Sequence, residues 1–535
     1  MENFTKYIAD AGLSNNAYQY EGVKWCLSRE LDGKGGFLAD EMGLGKTITM
    51  IGLFVANSLA RTLIVLPPIL IPQWHDQMEG TYGSLPLNAA RSYAPEAQNP
   101  PLREQGVAGG RQPPAVVVYH GANKKRVSML ELQEARVVIV SYDTISVCKK
   151  RPELCDIHRI EWSRVVFDEA HHLRNKKTSR YNGASLLKSD IHWMVSGTII
   201  QNGLSDLKNL CSLIGIPKTK DLQSLSKTHI LRRTKQSVGI NIPGIKTHTH
   251  IVKWSNYLEY QVSEELHSYL GMCAKRSGET YFPGEDDPKK RLLLFMKARQ
   301  ACCYPKMLNK RREAGGGSPP ATPCSCEGAN ECVAFEQGLA TRSSCPLLDA
   351  SSKLDCVVDT ILQNKDNGNG KLIFCNFNAE IAEIKSRLVL GGMVDVAVLN
   401  GETTKRERAD ILSTQNDAII LQIQTGCEGL NLQEFYSEVY FVSPHWNPAI
   451  EDQAVARCHR IGQKKEVVVH RFQMEGASYT DISAFGASVG SPTMGEFSEN
   501  YSGSMDNYVI RVQERKRDFY KIVGEPTTPL LPLNA

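Results

Sequence analysis

Eight residues, Asp40-Glu41-Met42-Gly43-Leu44-Gly45-Lys46-Thr47, restrict the folds open to this chain more than any other stretch. They follow a short apolar run, Gly36-Phe37-Leu38-Ala39, and lead into Ile48-Thr49-Met50-Ile51-Gly52-Leu53-Phe54. That order predicts a strand, a glycine-containing loop and the start of a helix. In such a loop the backbone N–H groups and the helix N-terminus face an anion, so a polyphosphate is cradled there. The expected contacts of the bound polyphosphate are Gly43, Leu44 and Gly45. Lys46 reaches the β- and γ-phosphates and Thr47 holds Mg²⁺. Asp40 stands where the simple phosphate-loop pattern has its first glycine.

Further apolar runs of strand length follow the loop: Thr62-Leu63-Ile64-Val65-Leu66, Val116-Val117-Val118-Tyr119 and Arg136-Val137-Val138-Ile139-Val140. Val165-Val166-Phe167 and Trp193-Met194-Val195-Ser196 complete the set. Continuous rather than alternating runs are the mark of buried parallel strands. With helical stretches between several of them, the expected class is α/β, a parallel sheet with helices on both faces. The Pro-, Gly-, Ala- and Asn-rich stretch from Gly80 to Pro114 reads as a long surface loop.

Two further groups follow strands directly. Asp168-Glu169-Ala170-His171 comes after Val165-Val166-Phe167. A carboxylate there points into the crevice where α/β sheets bind ligands. Asp168 is expected to complete the Mg²⁺ shell, and Glu169 to orient and deprotonate the attacking water. Ser196-Gly197-Thr198-Ile199-Ile200-Gln201-Asn202 comes next. The hydroxyls of Ser196 and Thr198 either bond the Asp168/Glu169 loop and report its state to a second surface, or simply make a turn. Before the phosphate loop, Tyr18 to Trp25 reads as the start of an amphipathic helix. Gln19 there is either a partner for the adenine edge or a surface amide.

The 535 residues suggest roughly three to four domain-sized units. Apolar content of 41% and charged content of 22% are those of a globular chain. A net charge of only +4 makes any nucleic-acid surface a local patch. The fifteen cysteines are scattered and Cys302-Cys303 are adjacent, so reduced thiols and an intracellular, non-secreted protein are expected. The Met1-Glu2-Asn3-Phe4-Thr5-Lys6 start has no signal-peptide apolar core. No apolar run approaches the ~18 residues that span a bilayer, so no membrane partner is expected.

The order of these motifs resembles that of the Swi/Snf group of superfamily 2 helicase-like ATPases. Asp-Glu-Met-Gly-Leu-Gly-Lys-Thr at 40–47 is nearly a signature of that group and accounts for Asp40. Asp-Glu-Ala-His at 168–171 and the Ser-Gly-Thr segment at 196–202 fit it, with Ile199 where the family usually has Pro. Leu231-Arg232-Arg233-Thr234-Lys235, followed by Ile242-Pro243, is similar to the segment that ends the family's first lobe.

In the middle of the chain, Leu258, Val262, Leu266 and Leu270 fall at helical spacing. Lys289 to Lys310 is a second helical stretch whose basic residues, among them Lys297, Arg299 and Lys306, either contact backbone phosphate or form a solvated face. After Gly315-Gly316-Gly317-Ser318-Pro319-Pro320, Cys324, Cys326, Cys332 and Cys345 are either a structural zinc site or free thiols in a loop; the spacing is irregular and no Cys-x-x-Cys pair occurs.

A second strand–helix series opens at Ser351. Lys371-Leu372-Ile373-Phe374, Val396-Ala397-Val398-Leu399, Ala418-Ile419-Ile420-Leu421 and Val439-Tyr440-Phe441-Val442 predict a second parallel sheet without its own phosphate loop. Gln453 to Gln463 matches the family's last motif. The resemblance implies that Gln453 belongs to the nucleotide site and that Arg457 and Arg460 face the γ-phosphate, three apart on one side of a helical turn. Thr425, Gly429 and Asn431 fall in a stretch similar to the family's loop linking DNA contact to ATP, where Cys427 and Glu428 depart from the usual residues. Trp446 braces that loop, touches DNA or packs in the core. Gly486 to Ser504 reads as a loop, Tyr508 to Tyr520 as a charged amphipathic helix, and Pro526 to Ala535 as a tail.

The expected architecture is therefore two RecA-like lobes in tandem. Residues 1–250 form lobe 1, residues 251–350 a helical insertion with a Cys-containing loop, residues 351–485 lobe 2, and residues 486–535 a loop, brace helix and tail. The resemblance, over about Tyr18 to Tyr520, implies a nucleic-acid-stimulated ATPase that uses ATP and Mg²⁺ and translocates on double-stranded DNA. It would remodel protein–DNA complexes or branched DNA as a monomer, in a nucleus or a viral replication compartment, with chromatin or other DNA-bound proteins as further partners. A strand-separating helicase and a non-hydrolysing DNA-binding scaffold are the alternatives.

Overall fold

The computed structural model describes residue 5 and residues 16–82, 115–149, 152–201, 203–216, 225, 228–255, 257–270, 288–309, 351–426, 430–475 and 504–523. The expected loop from Gly80 to Pro114 lies outside these residues beyond Tyr82. Also outside are Asn202, Cys427, Glu428, Gly429, the four cysteines between 324 and 345, most of the loop from Gly486, and the tail. The chain divides into two compact units, Met1–Asn241 with Asp518–Ala535, and Ile242–Arg517.

The first unit is built on a seven-stranded sheet. Its strands are β1 (Gly36–Leu38), β2 (Thr62–Leu66), β3 (Val116–Val118), β4 (Val137–Ser141), β5 (Glu161–Asp168), β6 (Lys188–Val195) and β7 (Ile230–Leu231). Their order is β3-β4-β2-β5-β6-β1-β7, and every pairing is parallel. The unbroken apolar runs reflect burial on both faces. Leu63 and Val65 of β2 enter one core with Phe37, Val138 and Phe167, while Ile64 and Leu66 enter the other with Leu38, Ile139 and Trp193.

The second unit has a six-stranded sheet of β8 (Ile245–Val252), β9 (Gly370–Cys375), β10 (Val396–Leu399), β11 (Ala418–Gln422), β12 (Tyr436–Phe441) and β13 (Val467–Met474). The order is β10-β11-β9-β12-β13-β8, again parallel throughout. The same division of faces recurs. Ile373, Ile420 and Tyr440 enter one core, and Leu372, Phe374, Ile419 and Phe441 the other. Two parallel sheets are thus present, as the alternation of runs implied.

Three features differ from the sequence reading. First, β8 lies within the span expected for lobe 1, yet it pairs along its whole length with β13 in the second sheet. Its sequence, Ile-Lys-Thr-His-Thr-His-Ile-Val, is largely polar and exposed, and its partner is about two hundred residues away, so local pattern carries no trace of it. Second, the described helices of the expected insertion, Tyr257–Tyr269 and Pro288–Cys303, place Val262, Leu266, Ala298, Ala301, Cys302 and Cys303 in the second unit's core beside Leu354 and Ile373, with Leu270 just after the first helix. Third, Arg299 of that stretch is no phosphate ligand in waiting. Its guanidinium donates to the carbonyl of Pro444 at 3.1 Å and lies over the Phe377 ring.

The C-terminal helix, Met505–Val523, is anchored in the second unit by a buried ion pair between Asp506 and Lys353. Lys353 also donates to Ser443 Oγ at 3.0 Å, and Asp506 accepts the N–H of Met474 at 2.9 Å. Removing one partner leaves a desolvated charge without compensation. Asp506→Ala is therefore expected to destabilise the second unit by about 3–5 kcal/mol, whereas Lys353→Met with Asp506→Leu costs far less. Urea unfolding of the full chain, followed by fluorescence, measures both.

Candidate nucleotide-binding site

Strand register assembles the site. Leu38 at the end of β1 is opposite Val195 of β6, and Val195 is opposite Asp168 of β5. Three neighbouring strands therefore end in one row. The phosphate loop leaves after the first, Ser196 follows the second, and Glu169 follows the third. Loops at the carboxyl edge of a parallel sheet are where such folds bind ligands.

The loop has the backbone its glycines permit. Gly43 has φ 90° and Gly45 φ 74°, both in the left-handed region. Gly45 serves a second need, because a Cβ there would meet Gln19 Nε2 at 2.5 Å. The helix Lys46–Ala56 begins immediately after, with Thr47 in its first turn. Lys46 Nζ donates to the carbonyl of Asp40 at 2.9 Å and to that of Glu41 at 3.5 Å, so the ammonium lies along the rim of the loop. Gly197 passes close above it; a Cβ at that residue would lie 3.3 Å from Lys46 Nζ.

Asp40 holds the loop from below. Its buried carboxylate accepts from Arg233 Nε at 3.0 Å, from Arg233 Nη2 at 2.5 Å and from the Arg233 backbone N–H at 3.0 Å. Glu41 pairs with Lys235 Nζ at 2.9 Å. Arg233 and Lys235 entered the sequence reading only as part of a segment ending the first lobe. Nothing local in the sequence sets the two acids and the two bases side by side.

Asp168 is buried. Its Oδ2 accepts from Trp74 Nε1 at 2.7 Å and its Oδ1 from the Glu169 N–H at 3.0 Å. Burial, and then the Glu169 charge, push its carboxyl up to about 7, against the pull of Trp74, the Glu169 backbone and Lys46. Trp74 is a site residue that the sequence reading missed, since a lone Trp in a helix carries no sign of its partner. Glu169 has φ 49° and ψ 51°, the left-handed region in a non-glycine residue. Such strain costs of order 1–3 kcal/mol and gathers where geometry matters for chemistry. His171 Nδ1 lies 3.2 Å from Glu169 Oε2 and 3.4 Å from Ser196 Oγ, and Ser196 Oγ accepts the Thr198 N–H at 3.2 Å. Gln201 Nε2 reaches Thr198 Oγ1 at 3.4 Å. A hydrogen-bonded path therefore joins the two motifs.

Gln19 is buried beside the loop. Its Nε2 is 3.5 Å from the Leu44 carbonyl, and its Oε1 has no hydrogen-bond partner among the described residues. That orphaned acceptor suits the amino group of an adenine. The donor set as a whole fits Mg²⁺-ATP: an open loop of backbone N–H groups, an ammonium, a hydroxyl at a helix start, and a carboxylate whose burial a divalent cation would offset.

In the second unit, Gln453 is buried on the helix Pro448–Val455, with its Nε2 lacking a partner among the described residues. The helix stops at Val455, so Arg457 and Arg460 stand on the turns that follow rather than on the expected helical face. Arg457 Nε donates to the Gln453 carbonyl at 3.1 Å, and Arg460 donates to the Asn431 side chain. Neither guanidinium has a carboxylate partner among the described residues. Burial and the neighbouring Arg457 charge lower the Arg460 pKa. Two unneutralised arginines side by side favour an anion. Thr425 lies in the short helix Ile423–Gly426. Trp446 packs edge-on to Phe295 and tilted against Tyr508, with Lys516 Nζ 5.7 Å from its ring, which places it in a brace. No group of three or more His, Cys, Asp or Glu arranged to hold a metal occurs among the described residues, and their cysteines are all free.

Residues 18–229 match the SNF2-related domain, and residues 352–462 match the helicase conserved C-terminal domain. The chain belongs to the SNF2 family of helicase-like ATPases. Among relatives of this SNF2 chain is a "Probable global transactivator" of Orgyia pseudotsugata multicapsid polyhedrosis virus, 25% identical over 85% of this chain and 85% of that protein. An uncharacterized ATP-dependent helicase of Mycoplasma genitalium is 26% identical over 88% of this chain and 41% of its own length. An ISWI chromatin-remodeling complex ATPase of Saccharomyces cerevisiae is 24% identical over 86% of this chain and 39% of its own. The chain thus spans most of the viral protein and about two-fifths of the other two. The Sulfolobus solfataricus SWI2/SNF2 ATPase core in complex with dsDNA aligns with 20% identity, covering 86% of this chain and 88% of that one, at a TM-score of 0.36.

Asp168 has a folded-state pKa of about 7 against an ordinary 3.8. The folded protein therefore holds a proton that the unfolded chain has released, and the associated stability is lost as pH rises from the lower value through the higher. In chelator-treated, metal-free protein, Asp168→Asn is expected to raise Tm, with the gain widening from about pH 4 to about pH 7 and then levelling. Thermal scans across pH measure it.

Proposed function

We propose that the chain is a DNA-stimulated ATPase that translocates on duplex DNA and remodels protein–DNA complexes or branched DNA. The observation that carries the ATPase part is the single row of strand ends holding Lys46, Asp168, Glu169 and Ser196 at one edge of the first sheet. The DNA part is supported by SNF2 family membership and by relatives that include a chromatin-remodeling complex ATPase.

In this reading Gly43, Leu44, Gly45 and Lys46 bind the phosphates, and Gln19 accepts from the adenine. Thr47 and Asp168 would hold Mg²⁺, which would supply charge neutralisation at the phosphates. Glu169, set by its strained backbone and by His171, orients the attacking water and accepts its proton. In the second unit, Gln453, Arg457 and Arg460 are the residues that the resemblance assigns to ATP, with the arginines suited to phosphate charge. An arginine in that role contributes roughly 10³–10⁵ in rate. The path from Glu169 through His171 to Ser196 and Thr198 links hydrolysis to DNA contact, as does Asn431, which accepts from Arg460; the resemblance assigns Thr425 and Gly429 to the same role. Alternating grip of the two units on backbone phosphate would then move the chain along one strand. A nucleus or a viral replication compartment is the setting this activity implies.

Phosphate release with and without duplex DNA tests the reading. Duplex DNA is expected to raise the rate, Lys46→Ala to abolish it, and Arg457→Ala or Arg460→Ala to lower it by about 10³-fold or more. Triplex displacement without strand displacement is the expected signature of translocation. Strand separation would favour a helicase instead, and binding without hydrolysis would favour a scaffold.

A further inference from the structure

The base-reading and phosphate-binding parts of the first unit are joined by one buried arginine. Arg233 clasps the Asp40 carboxylate with Nε and Nη2, at 3.0 and 2.5 Å. Its remaining terminal nitrogen, Nη1, donates to the backbone carbonyl of Tyr18, and the guanidinium lies 5.5 Å from the centre of the Tyr18 ring. Asp40 opens the phosphate loop, and Tyr18 precedes Gln19. The same side chain therefore touches the root of both elements. Room has been made for it: a Cβ on Gly22, one helical turn beyond Tyr18, would lie 2.7 Å from Arg233 Nη2.

We propose that Arg233, locked by Asp40, is a specificity-positioning residue that sets the register of Gln19 against the phosphate loop and so determines selection of adenine over other bases. The proposal rests on the nucleotide reading given above for Gln19 and the loop. Gln19 Nε2 lies 3.5 Å from the Leu44 carbonyl, and its Oε1 is orphaned in a buried setting. An amide read through one acceptor discriminates only while its position is held, because a donor displaced from it is left unpaired. Backbone pairing adds to the lock on the loop side. The Ala39 N–H donates to the Leu231 carbonyl and the Glu41 N–H to the Arg233 carbonyl, both at 2.8 Å. On the helix side, Arg233 Nη1 on the Tyr18 carbonyl is the corresponding tie. Lysine cannot replace it, since one ammonium does not reproduce a planar fork reaching two carboxylate oxygens and a carbonyl on its far side.

A built-in control separates positioning from plain stability. Arg164 in the same unit makes an equally buried two-pronged pair with Glu30, at 2.6 and 2.5 Å, with further bonds to Thr62 and Asn57, and touches no part of the loop. If Arg233 only stabilises the fold, substitutions at the two arginines behave alike.

The test is displacement of a fluorescent adenine nucleotide by ATP and by GTP from the full chain, with Tm measured alongside. The readout is the ratio of the two dissociation constants, which requires no turnover. Arg233→Lys is expected to reduce the preference for ATP about tenfold, and Gly22→Ala, which crowds the guanidinium without changing any charge, to move it the same way. Arg164→Lys lowers Tm and leaves the ratio within about twofold. Should Arg233→Lys not fold, Gly22→Ala decides alone. An unchanged ratio in both the Arg233→Lys and Gly22→Ala proteins, with Gln19→Ala erasing it, overturns the positioning role and leaves base reading intact. An unchanged ratio in Gln19→Ala overturns base reading itself, and the positioning role with it.

Discussion

Everything in the first unit depends on the parallel register that aligns Leu38, Val195 and Asp168. Parallel pairing sends three successive loops off the same sheet edge. A one-residue slip of β5 against β6 would turn Asp168 toward the opposite face and take its carboxylate out of the crevice. The register is held by burial on both faces, so that Val166 and Phe167 occupy separate cores, and any slip would exchange them. The chemistry is therefore placed by apolar packing some distance from any reacting atom.

Around that edge, buried charge is used in two distinct ways. Asp40 with Arg233, and Arg164 with Glu30, are closed pairs in which each charge is satisfied by the other. Such pairs contribute specificity of arrangement more than net stability. Asp168 is open in comparison, and in the second unit, taken by itself, so are the part-buried Arg457 and Arg460. Asp168 is desolvated next to Glu169, and each arginine meets only carbonyl or amide oxygen. Closed pairs position and open charges suit a ligand of opposite sign, and that contrast marks the candidate residues of each unit without reference to any motif.

The second unit repeats the sheet and omits the phosphate loop. Its own frame is a set of long-range polar ties. Lys353 meets Asp506, Gln513 Nε2 donates to Glu451 Oε1 at 2.7 Å, Lys516 donates to the Trp446 carbonyl at 3.0 Å, and Arg517 meets Asp452 at 3.0 Å. Residues of the C-terminal helix thereby hold both ends of the segment that leads into the Pro448–Val455 helix and on to Arg457. Trp446 belongs to this frame, enclosed by Phe295, Tyr508 and Lys516.

The amino-acid order alone determined the strands that are apolar throughout, because burial on two faces demands uninterrupted Val, Ile and Leu, and β2 runs from Thr62 to Leu66 as read. It determined the phosphate loop as well, since Gly43 and Gly45 are required wherever the backbone turns left-handed. Short or polar strands escaped it: β7 has two residues, and β8 takes its identity from β13 far along the chain. So did Trp74 on Asp168 and Arg233 on Asp40, whose significance lies in partners 94 and 193 residues distant. Local sequence specifies backbone conformation because steric and burial demands act within a few residues. Which charge meets which, and where a helix gives way to turns before Arg457, is decided only when distant segments pack and compete for the same buried space.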